Sequence, residues 1–303
     1  MIKRLLFIMF LVFGMQQGLK SQQIQQFSQY FLSGYSFNPA FAGVQENFEA
    51  LATHRTQWAG ITDAPRTYFL GLHAPSESRK MGFGGSVFTD GAGPTRRTGL
   101  QGTYSYQLRV TEHSKLSLGV SFGLTQFSID GTQITLRDND DQALVNSMQA
   151  ELKPDASFGV LWYSDKFYAG LSAAQLFNNE LSLFEGDSEG RMALHYFLTG
   201  GYEFSINEQF DVEPSVLVKY LNPLDPQIDL STRVIYKGNL WLGGSYRTND
   251  AAAVFAGYEI MNYLTLGYSI DFTTSELRNY SNGTHEIFLG IRFGKEKMTE
   301  PEQ

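Results

Sequence analysis

Apolar and polar residues alternate along most of the chain after residue 46. In residues 116–125, for example, Leu, Val or Phe occupies every second position, and Ser, Gly or Thr occupies the positions between. A period of two is typical of a β-strand with one apolar face, and no segment of comparable length has a helical period. We therefore predict fourteen strands, at residues 47–58, 65–74, 81–89, 95–109, 115–128, 154–163, 166–176, 191–205, 209–221, 226–237, 239–247, 251–261, 263–274 and 284–293.

The connections between these strands also alternate. Those after even-numbered strands are short, for example 164–165, whereas the longest ones, 129–153, 177–190 and 275–283, follow odd-numbered strands. Short periplasmic turns and longer external loops are typical of an outer-membrane barrel. The fold class that we predict is all-β: a transmembrane outer-membrane β-barrel of about fourteen antiparallel strands, with both ends of the barrel chain in the periplasm.

The N-terminal residues are arranged like a secretory signal peptide. Lys3 and Arg4 precede an apolar run, and a short polar stretch ends at Ser21. The apolar run is about half the ~20 residues that a spanning helix needs, so we predict Sec-type export with cleavage after Ser21. The predicted organisation is a signal peptide at 1–21, an N-terminal signature or plug segment at 22–46, a β-barrel at 47–293 and a charged tail at 294–303. Residues 22–46 are rich in Gln and aromatic residues without periodicity, and could plug the lumen or reach into the periplasm.

A soluble β-sandwich would also show alternation, with charged residues on its exposed faces. Here the non-apolar positions are mostly Gly, Ser, Ala and Thr, which suits a crowded barrel interior. Trp58, Trp162 and Trp241 stand near predicted strand ends, where an interfacial aromatic girdle would hold them. Both observations favour the membrane barrel.

Residues 138–152 interrupt the strand pattern. The segment begins with an acidic run and then places Leu144, Val145, Met148 and Leu152 at nearly helical spacing. We predict a short amphipathic helix in an external loop.

Composition excludes several classes of protein. The chain of 303 residues contains no Cys, so a disulfide framework, a thiolate zinc site and a lipid-modified cysteine are excluded. Its 24 Phe, 16 Tyr and 3 Trp argue against disorder. The net charge of −8 becomes −11 without the three basic residues of the signal peptide, which argues against a nucleic-acid partner.

Residue types that could carry catalysis do not form a recognisable motif. The five histidines, His54, His73, His113, His195 and His285, lack metal-ligand spacing, and there is no Gly-x-Ser-x-Gly elbow. The acidic run 138–141 fails as an EF-hand because Ala143 and Gln149 stand where Gly and Glu are needed. We expect no catalytic residue, no cofactor and no metal site.

Three stretches near the N-terminus together resemble a known family. Residues 25–31 and 38–43 read QQFSQYF and NPAFAG, residues 54–60 and 64–67 read HRTQWAG and APRT, and residues 81–94 begin MGFGGSV and end in Gly-Pro. This order of motifs resembles the PorP/SprF family of outer-membrane proteins. The resemblance covers residues 25–94 by motif and the remainder only by length and strand pattern.

The resemblance implies a non-enzymatic component of the type IX secretion system and gliding machinery of Bacteroidota. It implies a barrel similar to the fourteen-stranded FadL-like transporters, in the outer membrane of a Gram-negative bacterium. The expected partners are type IX core proteins of the periplasm and outer membrane, outer-membrane lipid, and large adhesins or other cargo with C-terminal sorting domains. Its expected role is export or surface attachment of that cargo.

Two other functions remain open from the sequence. One is a FadL-like channel for small hydrophobic molecules, with residues 22–46 as a hatch, because fourteen strands enclose more space than eight. The other is a barrel phospholipase whose catalytic residues come from neighbouring strands.

The candidate contacts to a partner or to the plug lie in the family-like motifs. Asn-Pro favours a turn and Gly43 permits a positive φ, so residues 38–43 form either a turn packed in the barrel mouth or a docking element. Arg55 and Trp58 could bind a partner or anchor the plug, or could instead be a paired lumenal charge and a girdle residue. The complete set is Asn38, Pro39, Phe41, Gly43, Arg55, Gln57, Trp58 and Pro65.

Overall fold

The computed structural model describes residues 24–133, 148–181 and 190–293. The predicted signal peptide, the acidic run 138–141 and the charged tail 294–303 lie outside the described residues. The strands of the described chain are β1 Phe48–Thr56, β2 Arg66–Pro75, β3 Met81–Ala92, β4 Thr95–Arg109, β5 Ser114–Asp130, β6 Met148–Ser164, β7 Phe167–Ala174, β8 Glu180–Leu181, β9 Gly190–Arg191, β10 His195–Tyr202, β11 Phe204–Ser205, β12 Phe210–Tyr220, β13 Gln227–Tyr236, β14 Leu240–Arg247, β15 Ala251–Ile260, β16 Leu264–Thr273 and β17 Thr284–Phe293.

Fourteen of these strands close into one antiparallel barrel, as the sequence predicts. Strands β1 to β7 pair in chain order, β7 pairs with β10, β10 pairs with β12, and β12 to β17 again pair in chain order. The barrel closes because β17 pairs with β1, from Phe48 opposite Phe293 to Thr56 opposite His285. Strand β11 extends the edge of β12, and β8 and β9 form a separate two-stranded hairpin.

The two ends of the barrel differ in their connections. At one end, where β1 begins and β17 ends, the turns are short, such as 165–166, 237–239 and 261–263. We call this the short-turn end. The opposite, long-loop end carries 57–65, 274–283 and the connections from β5 to β6 and from β7 to β10.

The outer wall of the barrel is apolar and the inner wall is small or polar. Leu100, Phe122 and Leu242 face outward with 61%, 62% and 66% of their surface exposed, whereas Ser117 and Thr125 face inward and are buried. A soluble sandwich would bury the apolar face, so this arrangement fits a wall in contact with lipid. On β4, the outward residues from Thr98 to Leu108 span about 25 Å along the barrel axis at a ~40° strand tilt, which matches the apolar band of a membrane barrel.

Aromatic side chains ring the short-turn end. Phe293 contacts both Phe48 and Tyr263, with ring centroids 5.8 and 5.5 Å apart, and Trp162 packs edge-on against Phe167 at 4.8 Å. The interfacial position predicted for Trp241 is wrong, because this side chain points into the barrel and is only 4% exposed. Leu240 and Leu242 take the outward positions of that strand, so the alternation turns Trp241 inward.

The helix predicted at 138–152 is wrong over its described part. Residues 148–152 belong to β6 and pair with β5, from Asp130 opposite Met148 to Gln126 opposite Leu152. Met148 and Leu152 both face outward, so the near-helical spacing also satisfied a strand. Residues 138–147 lie outside the described residues. Among the described residues, no helix is both long and apolar enough to cross a membrane.

Residues 24–44 run through the interior of the barrel, and we call them the lumen segment. The segment contains two 3-10 turns, Gly34–Ser36 and Pro39–Phe41. Its Phe27 and Tyr35 join a buried cluster with inward side chains of the wall, including Phe69 and Phe288. The core of this protein is therefore built between the lumen segment and the inner wall.

Candidate functional site

The lumen segment extends from one end of the barrel interior towards the other. Near the long-loop end, the backbone N–H of Ile24 donates to Nε2 of His195, the first residue of β10 (3.3 Å). Near the short-turn end, the N–H of Gly43 donates to Nδ1 of His73 (3.4 Å), and Nε2 of Gln107 donates to the carbonyl of Gly43 (2.5 Å). The chain then leaves the lumen and enters β1.

A group of buried charges holds the first part of the segment. The hydroxyl of Ser28 donates to the carboxylate of Asp271 (2.7 Å) and accepts from Arg55 Nη1 (2.7 Å) and Arg247 Nη2 (3.2 Å). Arg55 also forms ion pairs with Asp271 (2.7 Å) and Glu286 (3.1 Å). We call these five residues the charged anchor.

The charged anchor fixes backbone as well as side chains. The carboxylate of Glu286 accepts the backbone N–H groups of Ser28 (2.8 Å) and Gln29 (2.9 Å). Arg247 forms a further ion pair with Asp229 (2.9 Å). All of these side chains are at most 2% exposed, so each charge depends on its partners. Removing one partner from such a buried group costs about 3–5 kcal/mol.

The second part of the segment fits a part of the wall that lacks side chains. A Cβ atom built on Gly119 would lie 2.4 Å from the backbone nitrogen of Ala40, and one on Gly82 would lie 2.1 Å from the carbonyl oxygen of Ala42. A Cβ on Gly159 would lie 1.9 Å from Oδ1 of Asn38. Only glycine permits the segment to approach this closely. We call Gly82, Gly119, Gly159 and the neighbouring Gly170 the glycine wall.

Asn38 connects the second 3-10 turn to the glycine wall. Its Oδ1 accepts from the N–H of Ala40 (2.9 Å) and caps the turn, as Asn commonly does at a helix start. Its Nδ2 donates to the carbonyls of Val160 (3.2 Å) and Leu171 (3.4 Å). One side chain thus shapes the turn and joins it to two strands.

Two tyrosines of the lumen segment bond to opposite parts of the wall. The hydroxyl of Tyr30 lies 3.0 Å from that of Ser215, and the hydroxyl of Tyr35 donates to Thr103 (2.8 Å). Both side chains are buried, and each hydroxyl has a hydrogen-bond partner on the inner wall.

The structure divides the residues singled out from the sequence among three places. Those on the lumen segment are Asn38, Pro39, Phe41 and Gly43, and Gly43 has the positive φ of 67° that its sequence context permits. Arg55 belongs to the charged anchor. Gln57, Trp58 and Pro65 lie in the β1–β2 loop, where the N–H of Gln57 donates to the carbonyl of Pro65 (2.9 Å) and that of Trp58 donates to Thr284 Oγ1 (3.1 Å).

Sequence reasoning did not identify the partners of Arg55. Ser28 stands within the QFSQY motif, but Asp271 and Glu286 lie more than 200 residues away from Arg55. The signal that could have identified them is the alternation along each strand, which turns Arg55, Asp271 and Glu286 towards the barrel interior. A charge buried inside a barrel must find a partner there. In the part of the chain that the structure describes, no three His, Asp or Glu side chains are grouped so that they could hold a metal ion.

A cavity of about 480 Å³ lies between the lumen segment and the short-turn end. Phe31 and Phe41 of the segment line it on one side, and Tyr168 and Trp241 line the wall. The guanidinium of Arg233 lies 4.8 Å from the ring of Phe31 and pairs with Glu213 (2.5 Å). The cavity, which we call the short-turn cavity, therefore has a mixed lining of aromatic and charged side chains, the latter including Glu203 and Asp211.

Comparison with solved structures finds other outer-membrane barrels at low sequence identity. The CymD monoaromatic hydrocarbon channel matches with a TM-score of 0.52 and 12% identity, over 90% of this chain and 94% of CymD. The Acinetobacter baumannii outer membrane protein Omp33 matches with a TM-score of 0.49 and 10% identity, over 83% and 100% of the two chains. A Pseudomonas aeruginosa FadL homologue matches with a TM-score of 0.43 and 12% identity, over 82% and 89%. The CymD match supports the barrel fold alone.

The sequence itself matches a family model over nearly its whole length. The model describes the type IX secretion system membrane protein PorP/SprF, and it matches residues 19–291. None of the curated proteins compared with the chain matches it. The match covers the lumen segment and the barrel strands up to residue 291 in β17, and the expected family resemblance is confirmed. This chain belongs to the PorP/SprF family of type IX secretion system membrane proteins.

Proposed function

We propose that this protein is a non-enzymatic outer-membrane barrel that helps the type IX system to export cargo with C-terminal sorting domains, or to attach large adhesins to the cell surface. The observation that carries this proposal is the family match over residues 19–291. It makes the protein a secretion-system membrane component, and the cargo role is the finer step that we propose.

The lumen segment, which occupies part of the barrel interior, supports an accessory role. The lumen segment bonds to inward side chains of strands on all sides of the barrel, from Arg55 on β1 to Ser215 on β12. A cargo chain could pass through this barrel only if those contacts were lost. We therefore propose that cargo crosses the membrane elsewhere and that this protein acts through its exposed ends.

The two ends suit different partners. If both barrel termini lie in the periplasm, the short-turn end faces the periplasmic core proteins and the long-loop end faces cargo at the cell surface. Gln57, Trp58 and Pro65 of the β1–β2 loop are the residues that we propose for contact at the cell surface.

Affinity isolation tests this proposal. The tagged protein should be isolated from outer membranes in a mild detergent, with an unrelated outer-membrane barrel carrying the same tag as the control. We expect type IX core components or sorting-domain cargo only with the present protein. Isolation of the barrel alone, under conditions in which other type IX complexes survive, would contradict the proposal.

A second function, a channel for small hydrophobic molecules, would use the aromatic side of the short-turn cavity, where Phe31, Tyr168 and Trp241 lie. Its volume of about 480 Å³ is suitable for a small ligand. Uptake of a monoaromatic hydrocarbon into liposomes that contain the mature protein would support this function. Liposomes with the protein that take up no more than empty ones would contradict it.

A further inference from the structure

The outer wall carries an ordered set of rows near the long-loop end. The strand pairing of β2, β3, β4 and β5 aligns outward residues in rows that run across the four strands. The row nearest the membrane centre is apolar, the next is Tyr, Thr and Gln, and the outermost contains two arginines. The rows are Leu70, Val87, Leu100 and Leu124; Tyr68, Thr89, Thr98 and Gln126; and Arg66, Gly91, Arg96 and Ser128.

The two arginines flank a gap in the outermost row. Arg66 pairs with Gly91, and Gly91 pairs with Arg96. The strand between the two arginines therefore has no side chain at this position. Two strand spacings separate the arginine Cα atoms by about 10 Å. A groove of about 620 Å³ lies here, and its lining includes Arg66, Gly91 and Arg96 together with Tyr68 and Thr98.

The side of this groove nearer the membrane centre carries positive charge, which suits a bound anion. Among the described residues, neither Arg66 nor Arg96 has an ion pair or a side-chain hydrogen bond. The carboxylates that line the groove, Asp63 and Asp130, lie beyond the arginine row, away from the membrane centre. The carboxylate of Asp130 accepts from the N–H and hydroxyl of Thr132 (3.1 and 2.6 Å).

The height of the groove matches the lipid headgroup layer. Two residues along a tilted strand raise the arginine row about 5 Å above the Tyr and Thr row. The headgroup layer extends roughly 5–8 Å beyond the hydrocarbon core on each side of a bilayer. Because the row is tilted together with the strands, Arg66 and Arg96 differ in height by about 6 Å, which is within the thickness of the headgroup layer. Both guanidinium groups can therefore reach the level of the lipid phosphates.

We infer that this groove binds the phosphate headgroup of a glycolipid in the outer leaflet. Arg66 and Arg96 hold the phosphate from either side of Gly91, because guanidinium groups bind phosphate through paired hydrogen bonds. The acyl chains then lie against the apolar row below. The inference shares with the proposed function only the assumption that the long-loop end faces outward, and it needs no secretion partner.

Titration of the full mature protein in detergent with diphosphoryl lipid A, followed by native mass spectrometry, tests the site. The Arg66→Gln/Arg96→Gln variant should weaken binding at least tenfold. Gly91→Leu should do the same without removing a charge, and the nearest atom to a Cβ there is 3.7 Å away, so the strand accepts a side chain. The matched control, Arg109→Gln/Lys115→Gln, changes paired residues of β4 and β5 at the short-turn end and should bind normally.

Three results would contradict the proposed glycolipid site. They are equal binding of dephosphorylated lipid A, displacement of the lipid by inorganic phosphate at equal concentration, and unchanged lipid binding by the Gly91→Leu variant. Gel mobility before and after heating verifies that each variant forms a folded barrel. Failure of the co-isolation experiment would leave these lipid measurements unaffected, so the two proposals fail separately.

Discussion

The charged anchor and the glycine wall hold the same segment by different physical means. Ser28 is held by buried charges on β1, β14, β16 and β17. Residues 38–43 are held by shape, where glycines of β3, β5 and β6 admit backbone into close contact. The first anchor therefore depends on charge balance and the second on side-chain volume. Substitutions of one kind should affect one anchor and leave the other in place.

The largest effect should follow loss of Arg55. The Arg55→Met variant leaves Asp271 and Glu286 with less compensation in a buried site, and should lower the free energy of unfolding by about 3–5 kcal/mol. Urea unfolding in detergent or lipid measures this loss. The exposed pair Arg79–Glu46 provides the control, because Arg79→Met should change stability by less than about 1 kcal/mol. Equal losses in the two variants would contradict the charged anchor.

A smaller effect should follow an added methyl group on the glycine wall. Gly119→Ala forces Ala40 away from β5 and should cost about 1–3 kcal/mol. Gly102→Ala is the matched control on the neighbouring strand, since the nearest atom to its Cβ is 4.0 Å away. Hydrogen exchange should increase at residues 38–43 in the first variant and stay unchanged around Ser28. Unchanged hydrogen exchange at residues 38–43 in both variants would show that the lumen segment does not pack tightly against the glycine wall.

Asn38→Ala should have a smaller effect again. It removes the cap on the Pro39–Phe41 turn and the bonds to Val160 and Leu171, at a cost of about 1–2 kcal/mol. Asn38→Ser keeps a side-chain oxygen that can cap the turn but removes the amide donor without adding a charge, so it should separate the two contributions. Stability of Asn38→Ala equal to that of the unchanged protein in urea would exclude the role of this side chain in holding the segment.

Substitution in the β1–β2 loop should have the smallest effect on stability. Gln57 contributes a backbone hydrogen bond that Gln57→Ala retains, so the expected change is within about 0.5 kcal/mol. Co-isolation of type IX components is the informative readout for this variant. Normal stability with reduced co-isolation would support a partner contact at this loop, and unchanged co-isolation would exclude it for Gln57.

The strands could be predicted closely because the period of two persists over each of them. The bounds predicted for 95–109 and 284–293 coincide with β4 and β17. Periodicity also failed in particular places. Met148 and Leu152 satisfy both helical and strand spacing, and Trp241 stands between two outward leucines, so its position near a strand end did not determine its direction.

The site was less predictable than the fold. The turn chemistry of Asn38 and Gly43 could be inferred locally, because Asn caps a turn and glycine accepts a positive φ. The path of the lumen segment could not, since it lacks periodicity. Its contacts with Asp271, Glu286 and Gly119 depend on closure of the barrel, which brings distant strands around it.

The central claim is that the lumen segment occupies the interior of the folded barrel. Because the chain has no Cys, a single introduced thiol reports its own environment. Ser33→Cys replaces a side chain that is 1% exposed on the segment, and Ser78→Cys makes the same change in the exposed β2–β3 turn. A hydrophilic maleimide should label the Ser78→Cys variant rapidly and the Ser33→Cys variant only after unfolding. Equally rapid labelling of both variants in the folded barrel would contradict the account.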